Sequence, residues 1–145
     1  NLSGSRLNGA NLTGADFRRS ILLRVDFRDA NLTGANFQGT YLSKVIIHGN
    51  RISTVRFEGA NLDGVNFQDA DLSGLDLSKQ TLVGANLHRS DLTGTDLRNA
   101  NLSRANLSYA DLRGADLTGA TIDGALMVGI LIGPTYQETW TSPLN

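Results

Sequence analysis

The stretch GANLTGADF, residues 9–17, returns in altered form as GANLDGVNF at 59–67 and as NANLSRANLSYADLRGADL at 99–117. In each copy an apolar residue falls at every fifth place. Steps of five from Leu2 to Ile122 mark 25 positions, and all 25 are apolar. Most are Leu. The others are Ile47, Ile52, Ile122 and every phenylalanine of the chain: Phe17, Phe27, Phe37, Phe57 and Phe67. This column is termed the centre below. Two residues before it, from Ser5 to Ala120, 21 of 24 positions are Ala, Ser, Thr or Val, the exceptions being Asn50, Leu75 and Gln80. Directly before the centre, 17 of 25 residues are Asn or Asp, and two places after it 14 of 25 are Gly. No insertion or deletion interrupts the count.

A period of five fits neither the 3.6 of a helix nor the 2 of a strand. One large and one small inward residue per five require a chain that turns a corner every five residues. Gly two places past the centre suits a corner with positive φ. Asn or Asp before the centre can bond the local backbone. Four such sides close a coil of 20 residues, so residues 20 apart are expected to stack. That expectation puts Phe17, Phe37 and Phe57 on one wall and Phe27, Ile47 and Phe67 on the opposite one. It assigns Leu2, Leu22, Leu42, Leu62, Leu82 and Leu102 to a third wall. Leu12, Leu32, Ile52, Leu72, Leu92 and Leu112 then line the fourth.

The run A-(N/D)-(L/F)-(S/T/R)-G, as in ANLTG at 30–34 and ADLTG at 115–119, resembles the pentapeptide-repeat family over residues 1 to about 129. The resemblance implies an all-β fold, a right-handed quadrilateral β-helix without an enclosed channel. At about 20 residues per coil it would hold six to seven coils, roughly 30 Å at a spacing of about 4.8 Å. Residues 130–145 are expected to form a last incomplete coil and a covering tail, because a solenoid end needs a cap. Trp140 is the expected plug. Some family members pair through terminal coils, so the resemblance also implies an end-to-end homodimer as an alternative use of that end. The chain opens at Asn1 inside a repeat, which suggests a processed product.

Composition narrows the function. The 145 residues carry a formal net charge of −1, which gives no global pull toward nucleic acid or an anionic membrane. There is no cysteine, and the longest apolar run, ALMVGILIG at 125–133, is too short to span a bilayer. No signal-peptide pattern opens the chain, so a soluble, cytoplasmic protein is the default expectation. No nucleophile–base pair or phosphate-cradling loop stands out. His48 and His88, 40 residues apart, are expected two coils from each other, too far to share a metal. Asp71, Asp91 and Asp111 should stack in one column and Asp76, Asp96 and Asp116 in the next, a solvated ladder on a surface without a cleft. No enzyme, cofactor or metal site is expected. The expected role is a non-catalytic scaffold that binds another protein, with nucleic acid disfavoured.

The alternative implied by the resemblance is a DNA-mimicking binder and protector of topoisomerase (gyrase). Such mimics are long and strongly acidic, whereas this chain is short and near neutral. Its unbroken count also argues against the projecting loop of some protectors. Charge is nonetheless polarised. Residues 1–56 hold 8 basic and 3 acidic side chains, a net +5, and residues 57–145 hold 5 and 11, a net −6.

One stretch departs from the rest: YLSKVIIHGNRISTVRF, residues 41–57. Its centres are intact, but the positions before them are Tyr41, Ile46, Arg51 and Arg56, expected one on each wall of a single coil. Tyr41 should lie over Ile21, beside Leu23, with Arg24 and Lys44 stacked next to them. The candidate partner-binding residues are therefore Ile21, Leu23, Arg24, Tyr41, Lys44, Ile46, Arg51 and Arg56. Asn50, at a small inward position, should need an internal hydrogen-bond partner.

Overall fold

The computed structural model describes residues 1–42, 45 and 57–133. Each repeat folds as a tight turn written in its own five residues. The centre carbonyl accepts the N–H three places on, as Leu92 does from Thr95 at 3.1 Å and Leu97 from Ala100 at 3.0 Å. The third residue of each turn takes the left-handed region: Gly94 has φ 64°, and Lys79 and Asn99 have φ 59° and 56°. Such a turn needs positive φ at that place, which glycine adopts without steric cost. The residue before the centre locks the turn from outside. Its Oδ1 accepts the N–H two places on, at 3.1 Å in Asn31–Thr33 and 3.0 Å in Asp96–Arg98. Asn and Asp share this acceptor, which is why the column holds both.

Successive turns stack through single-residue parallel bridges that fall into four ladders, the four walls of a solenoid. The first wall runs Ile21, Tyr41, Asn66, Asn86, Asn106, Leu126. The second carries Arg6 with Asp26, and then Asp71, Asp91, Asp111 and Leu131. The third carries Asn11 with Asn31, and then Asp76, Asp96 and Asp116. The fourth runs Asp16, Asn36, Asn61, Thr81, Asn101, Thr121. Between stacked turns the centre N–H donates forward, as Leu87 does to the Asn106 carbonyl at 2.8 Å. The residue before the centre donates backward, as Asn31 does to Ala10 at 2.9 Å.

The step along each ladder is 20 residues with one exception. Asn36 bridges Asn61 and Tyr41 bridges Asn66, steps of 25. Five extra residues therefore enter between Leu42 and Phe57, in a span that lies mostly outside the described residues. An extra unit of five keeps every centre in register, so a period-five count passes over it. This corrects the uniform stacking expected above. Leu62, not Phe57, follows Phe17 and Phe37 on the fourth wall, because the Phe37 N–H donates to the Asn61 carbonyl at 2.8 Å. Phe57 follows Leu32 on the third wall, since Gly34 N–H donates to the Glu58 carbonyl at 2.8 Å. Phe67 follows Leu42 on the first wall, through a 2.9 Å bond from Leu42 N–H to the Asn66 carbonyl. Leu72, Leu92 and Leu112 come next in wall order, on the second wall. Phenylalanines thus occur on all four walls rather than on two. The expectation of an unbroken register, and the argument it supplied against a projecting segment, both fall with it.

The phenylalanines remain one cluster. Phe17 and Phe37 stack with ring centres 4.9 Å apart, and Phe27 meets both edge-on at 6.2 Å. Phe57 meets Phe37 at 5.9 Å and Phe67 meets Phe57 at 6.3 Å, again edge-on. Beyond them the core is a leucine ladder, with Leu62, Leu72, Leu82, Leu92 and Leu102 fully enclosed. Polar residues at small inward positions bond main-chain carbonyls. Thr40 Oγ1 donates to Phe17, Thr95 Oγ1 to Leu72 and Ser90 Oγ to Leu87, at 2.8–2.9 Å. Leu75 and Gln80 are accommodated as buried residues, with Gln80 Nε2 reaching the Ser78 carbonyl at 3.4 Å. Asn50 lies outside the described residues. Towards both ends the core opens: Leu2 is exposed, and Leu117, Ile122, Met127 and Ile132 are only partly buried. Among the described residues no helix is long and apolar enough to cross a membrane.

Candidate partner-binding surface

A residue just before the centre points outward. Asn or Asp there folds back onto the turn, but Ile has no acceptor and Tyr carries its hydroxyl at the far end of the ring, so both stand in solvent. Ile21 is 43% exposed and Tyr41 55%, and the two are bridge partners on the first wall. Leu23 is exposed beside them, and Arg24 follows it in the left-handed region at φ 54°. The structure thus brings together Ile21, Leu23, Arg24 and Tyr41. Lys44, Ile46, Arg51 and Arg56, also proposed from sequence, lie outside the described residues, as do His48 and Trp140. The five-residue excess also changes the next rung of this wall, which is Asn66 and not Asn61.

A second apolar group on the same molecule escaped the sequence reading. Leu126, Val128 and Leu131 are all more than half exposed, as is Tyr109. Leu126 continues the first wall after Asn106, and Leu131 continues the second after Asp111. Both replace the Asn or Asp of that column. The sequence signal for them is the Asn/Asp column itself, continued past Ile122. Tyr109 occupies the turn position usually held by Gly, at φ 61°. Its ring meets His88 edge-on at 5.6 Å and lies against Gly129, where an added Cβ would stand 2.7 Å from the ring. Between the two apolar groups the first wall is a ladder of neutral amides, with Asn86 Nδ2 3.3 Å from Asn66 Oδ1.

The charged walls are different in kind. The two expected aspartate columns are present, Asp71–Asp91–Asp111 and Asp76–Asp96–Asp116. Arginines two residues on clasp several rungs: Arg98 pairs with Asp96 and Arg113 with Asp111, both at 2.6 Å. The guanidinium hydrogen bond holds the Asp96 and Asp111 carboxyls below their ordinary range, against the opposing pull of burial. At the other end Arg18 holds Asp16 down to about 2 in the same way. These are carboxylates fixed in the charged form, which suits a surface ladder and not a proton-transferring acid. Among the described residues, no group of three or more His, Cys, Asp or Glu side chains could hold a metal ion. A concavity of about 480 Å³ lies beside Phe57, Glu58, Asp76, Ser78, Lys79 and Gln80, without a nucleophile–base pair.

Comparison with known proteins agrees with this architecture. The family model for pentapeptide repeats matches in 8 copies, over residues 1–32, 10–49, 53–88, 81–119 and 96–129. Those stretches leave Asn50, Arg51 and Ile52 unmatched, inside the span that absorbs the five extra residues. Among solved structures, HetL from the cyanobacterium Nostoc sp. strain PCC 7120 is similar, a pentapeptide repeat protein involved in heterocyst differentiation regulation. It is 29% identical with a TM-score of 0.56, over 87% of this chain and 59% of HetL. The chain therefore spans about three fifths of that relative's length. Rfr23 from Cyanothece 51142 is 24% identical with a TM-score of 0.47, over 92% of this chain and 84% of its own. QnrB1, a plasmid-mediated fluoroquinolone resistance protein, is 20% identical with a TM-score of 0.48, over 92% of this chain and 82% of its own. Among curated proteins none matches the chain. With the family model covering nearly all of residues 1–129 and the four ladders carrying its repeat, the chain belongs to the pentapeptide-repeat family.

Proposed function

We propose that this chain is a non-catalytic scaffold, a right-handed four-sided rod of six to seven coils that binds another protein through outward side chains. The carrying observation is the exposed cluster of Ile21, Leu23 and Tyr41 beside Arg24. At Ile21 and Tyr41 the chain forgoes the turn-locking carboxamide and leaves apolar surface in water instead. Exposed apolar groups beside a cation are what a protein partner buries. Lys44, Ile46, Arg51 and Arg56 extend this surface in the sequence reading. In the same reading, residues 130–145 are the last incomplete coil and covering tail, with Trp140 the proposed plug of the C-terminal end. HetL's part in regulating heterocyst differentiation is a role consistent with such a scaffold.

The test returns the two rungs to the family's own residue. Ile21→Asn with Tyr41→Asn restores turn locks and so keeps the fold, which circular dichroism would verify. Affinity capture from the source organism with this variant is expected to lose partners that the parent chain retains. An unchanged set of captured proteins would remove this surface from the account. A second reading, a DNA-mimicking binder of gyrase, draws on the two aspartate columns of the second and third walls. It predicts that micromolar protein alters gyrase supercoiling with or without a quinolone. No change in that assay would reject it.

A further inference from the structure

The first wall reads almost the same in both directions. Its rungs are Ile21, Tyr41, Asn66, Asn86, Asn106 and Leu126. A two-fold axis crossing the wall between Asn66 and Asn86 would exchange those two, place Tyr41 over Asn106, and place Ile21 over Leu126. The turn residues beside the wall follow the same symmetry. Leu23 would meet Val128, and Tyr41 would reach Tyr109, whose ring is held between His88 and Gly129. Asp69 and Arg89, which pair at 3.3 Å within one chain, would also face each other across the axis. A face-to-face antiparallel arrangement keeps the same corner of the rod on the same side in both copies, so these turn residues do meet.

We propose that a second copy of the chain docks antiparallel on the first wall, each copy's Ile21–Leu23–Tyr41 cluster covering the other's Tyr109–Leu126–Val128 cluster. This rests on the reading of the first wall as an interaction face and names its occupant. Two observations select a second copy. The two apolar clusters lie at opposite ends of one wall, where an isologous contact needs them. The rungs between them are uncharged amides that can bond across the axis. Parallel pairing would carry Leu23, Tyr109 and Val128 of the two copies to opposite corners of the wall, where they do not meet. End-to-end pairing would leave both wall clusters in water.

The chain lacks cysteine, so introduced thiols report the contact cleanly. Ile21 and Leu126 are five ladder steps apart, about 24 Å at roughly 4.8 Å per step, too far for a disulfide within one chain. The Ile21→Cys/Leu126→Cys double variant is therefore expected to oxidise to a covalent dimer, while either single variant, facing Leu126 or Ile21 in its partner, stays uncrosslinked. Sedimentation should show a dimer for the parent chain. Ile21→Asn or Leu126→Asn should weaken it about tenfold or more, as loss of one buried apolar side chain from each copy implies. A monomeric parent, or single-cysteine variants that crosslink as well as the double one, would overturn the proposal. So would a dimer indifferent to Ile21→Asn and Leu126→Asn, the outcome end-to-end pairing gives. If the dimer fails while Ile21→Asn/Tyr41→Asn still strips a different protein in capture, the wall remains an interaction face with another occupant.

Discussion

At the scale of the residue, Asp26 does two jobs. Its Oδ1 accepts the Arg28 N–H at 3.1 Å and Arg28 Nε at 2.9 Å, while its Oδ2 pairs with Nη2 at 2.5 Å. The carboxyl is nearly buried, and the Arg28 side-chain bond, aided by the backbone N–H, holds it below its ordinary 3.8 despite burial. A group depressed in the folded state lends stability above its unfolded pKa and loses it as pH falls through the folded one. Asp26, Asp96 and Asp111 share this cause, so the fold should be steady above about pH 4 and weaken progressively below it. Asp26→Asn keeps the Oδ1 acceptor and should cost less than Asp26→Ala, for which about 1–2 kcal/mol is expected. Urea denaturation from pH 7 to 2 checks both points, with the Asn variant showing a flatter acid limb. At Gly94 an added Cβ would touch nothing within 4 Å, so Gly94→Ala isolates the cost of φ 64°. About 1–2 kcal/mol is expected in the same measurement.

At the scale of the repeat, every bond that makes the turn lies within six consecutive residues. That is why the corner, the lock and the two inward positions were legible in the sequence. The wall on which each repeat sits was not. Wall assignment depends on how many repeats separate two stacked residues, and a whole extra repeat leaves Leu42, Phe57 and Leu62 all facing inward. The bridges from Asn36 to Asn61 and from Tyr41 to Asn66, with the hydrogen bonds beside them, reveal it. The candidate surface was legible by the same logic and to the same limit. Tyr41 and Ile21 stand out as breaks in the Asn/Asp column, while Leu126 and Leu131 lie past Gly124, where the repeat pattern loosens. Their nearness to Tyr109 is a property of the stack. Repeats stacked on both sides should also differ from terminal ones. Leu97→Ala removes a fully enclosed side chain and should cost about 2–5 kcal/mol. Met127→Ala, at a partly buried position, should cost less, as comparative thermal or urea melts would show.

At the scale of the molecule, the five-residue excess decides which residues share a face. It places Tyr41 under Asn66, aligns the amide ladder with both apolar clusters, and keeps the aspartate columns on the second and third walls. A uniform stack would set Tyr41 against Asn61 and Thr81 and would dissolve the symmetry of the first wall. In the scaffold reading proposed above, the rod's function is carried by such alignments. The most direct test is a pair of double cysteine variants in the otherwise cysteine-free chain, oxidised at high dilution and assayed for intrachain disulfide by mass spectrometry. Bridge partners stand about 4.8 Å apart, within disulfide reach, and residues one wall away do not. The Tyr41→Cys/Asn66→Cys variant is expected to close a disulfide and Tyr41→Cys/Asn61→Cys to stay reduced. Closure at 41 and 61 with none at 41 and 66 would contradict the account.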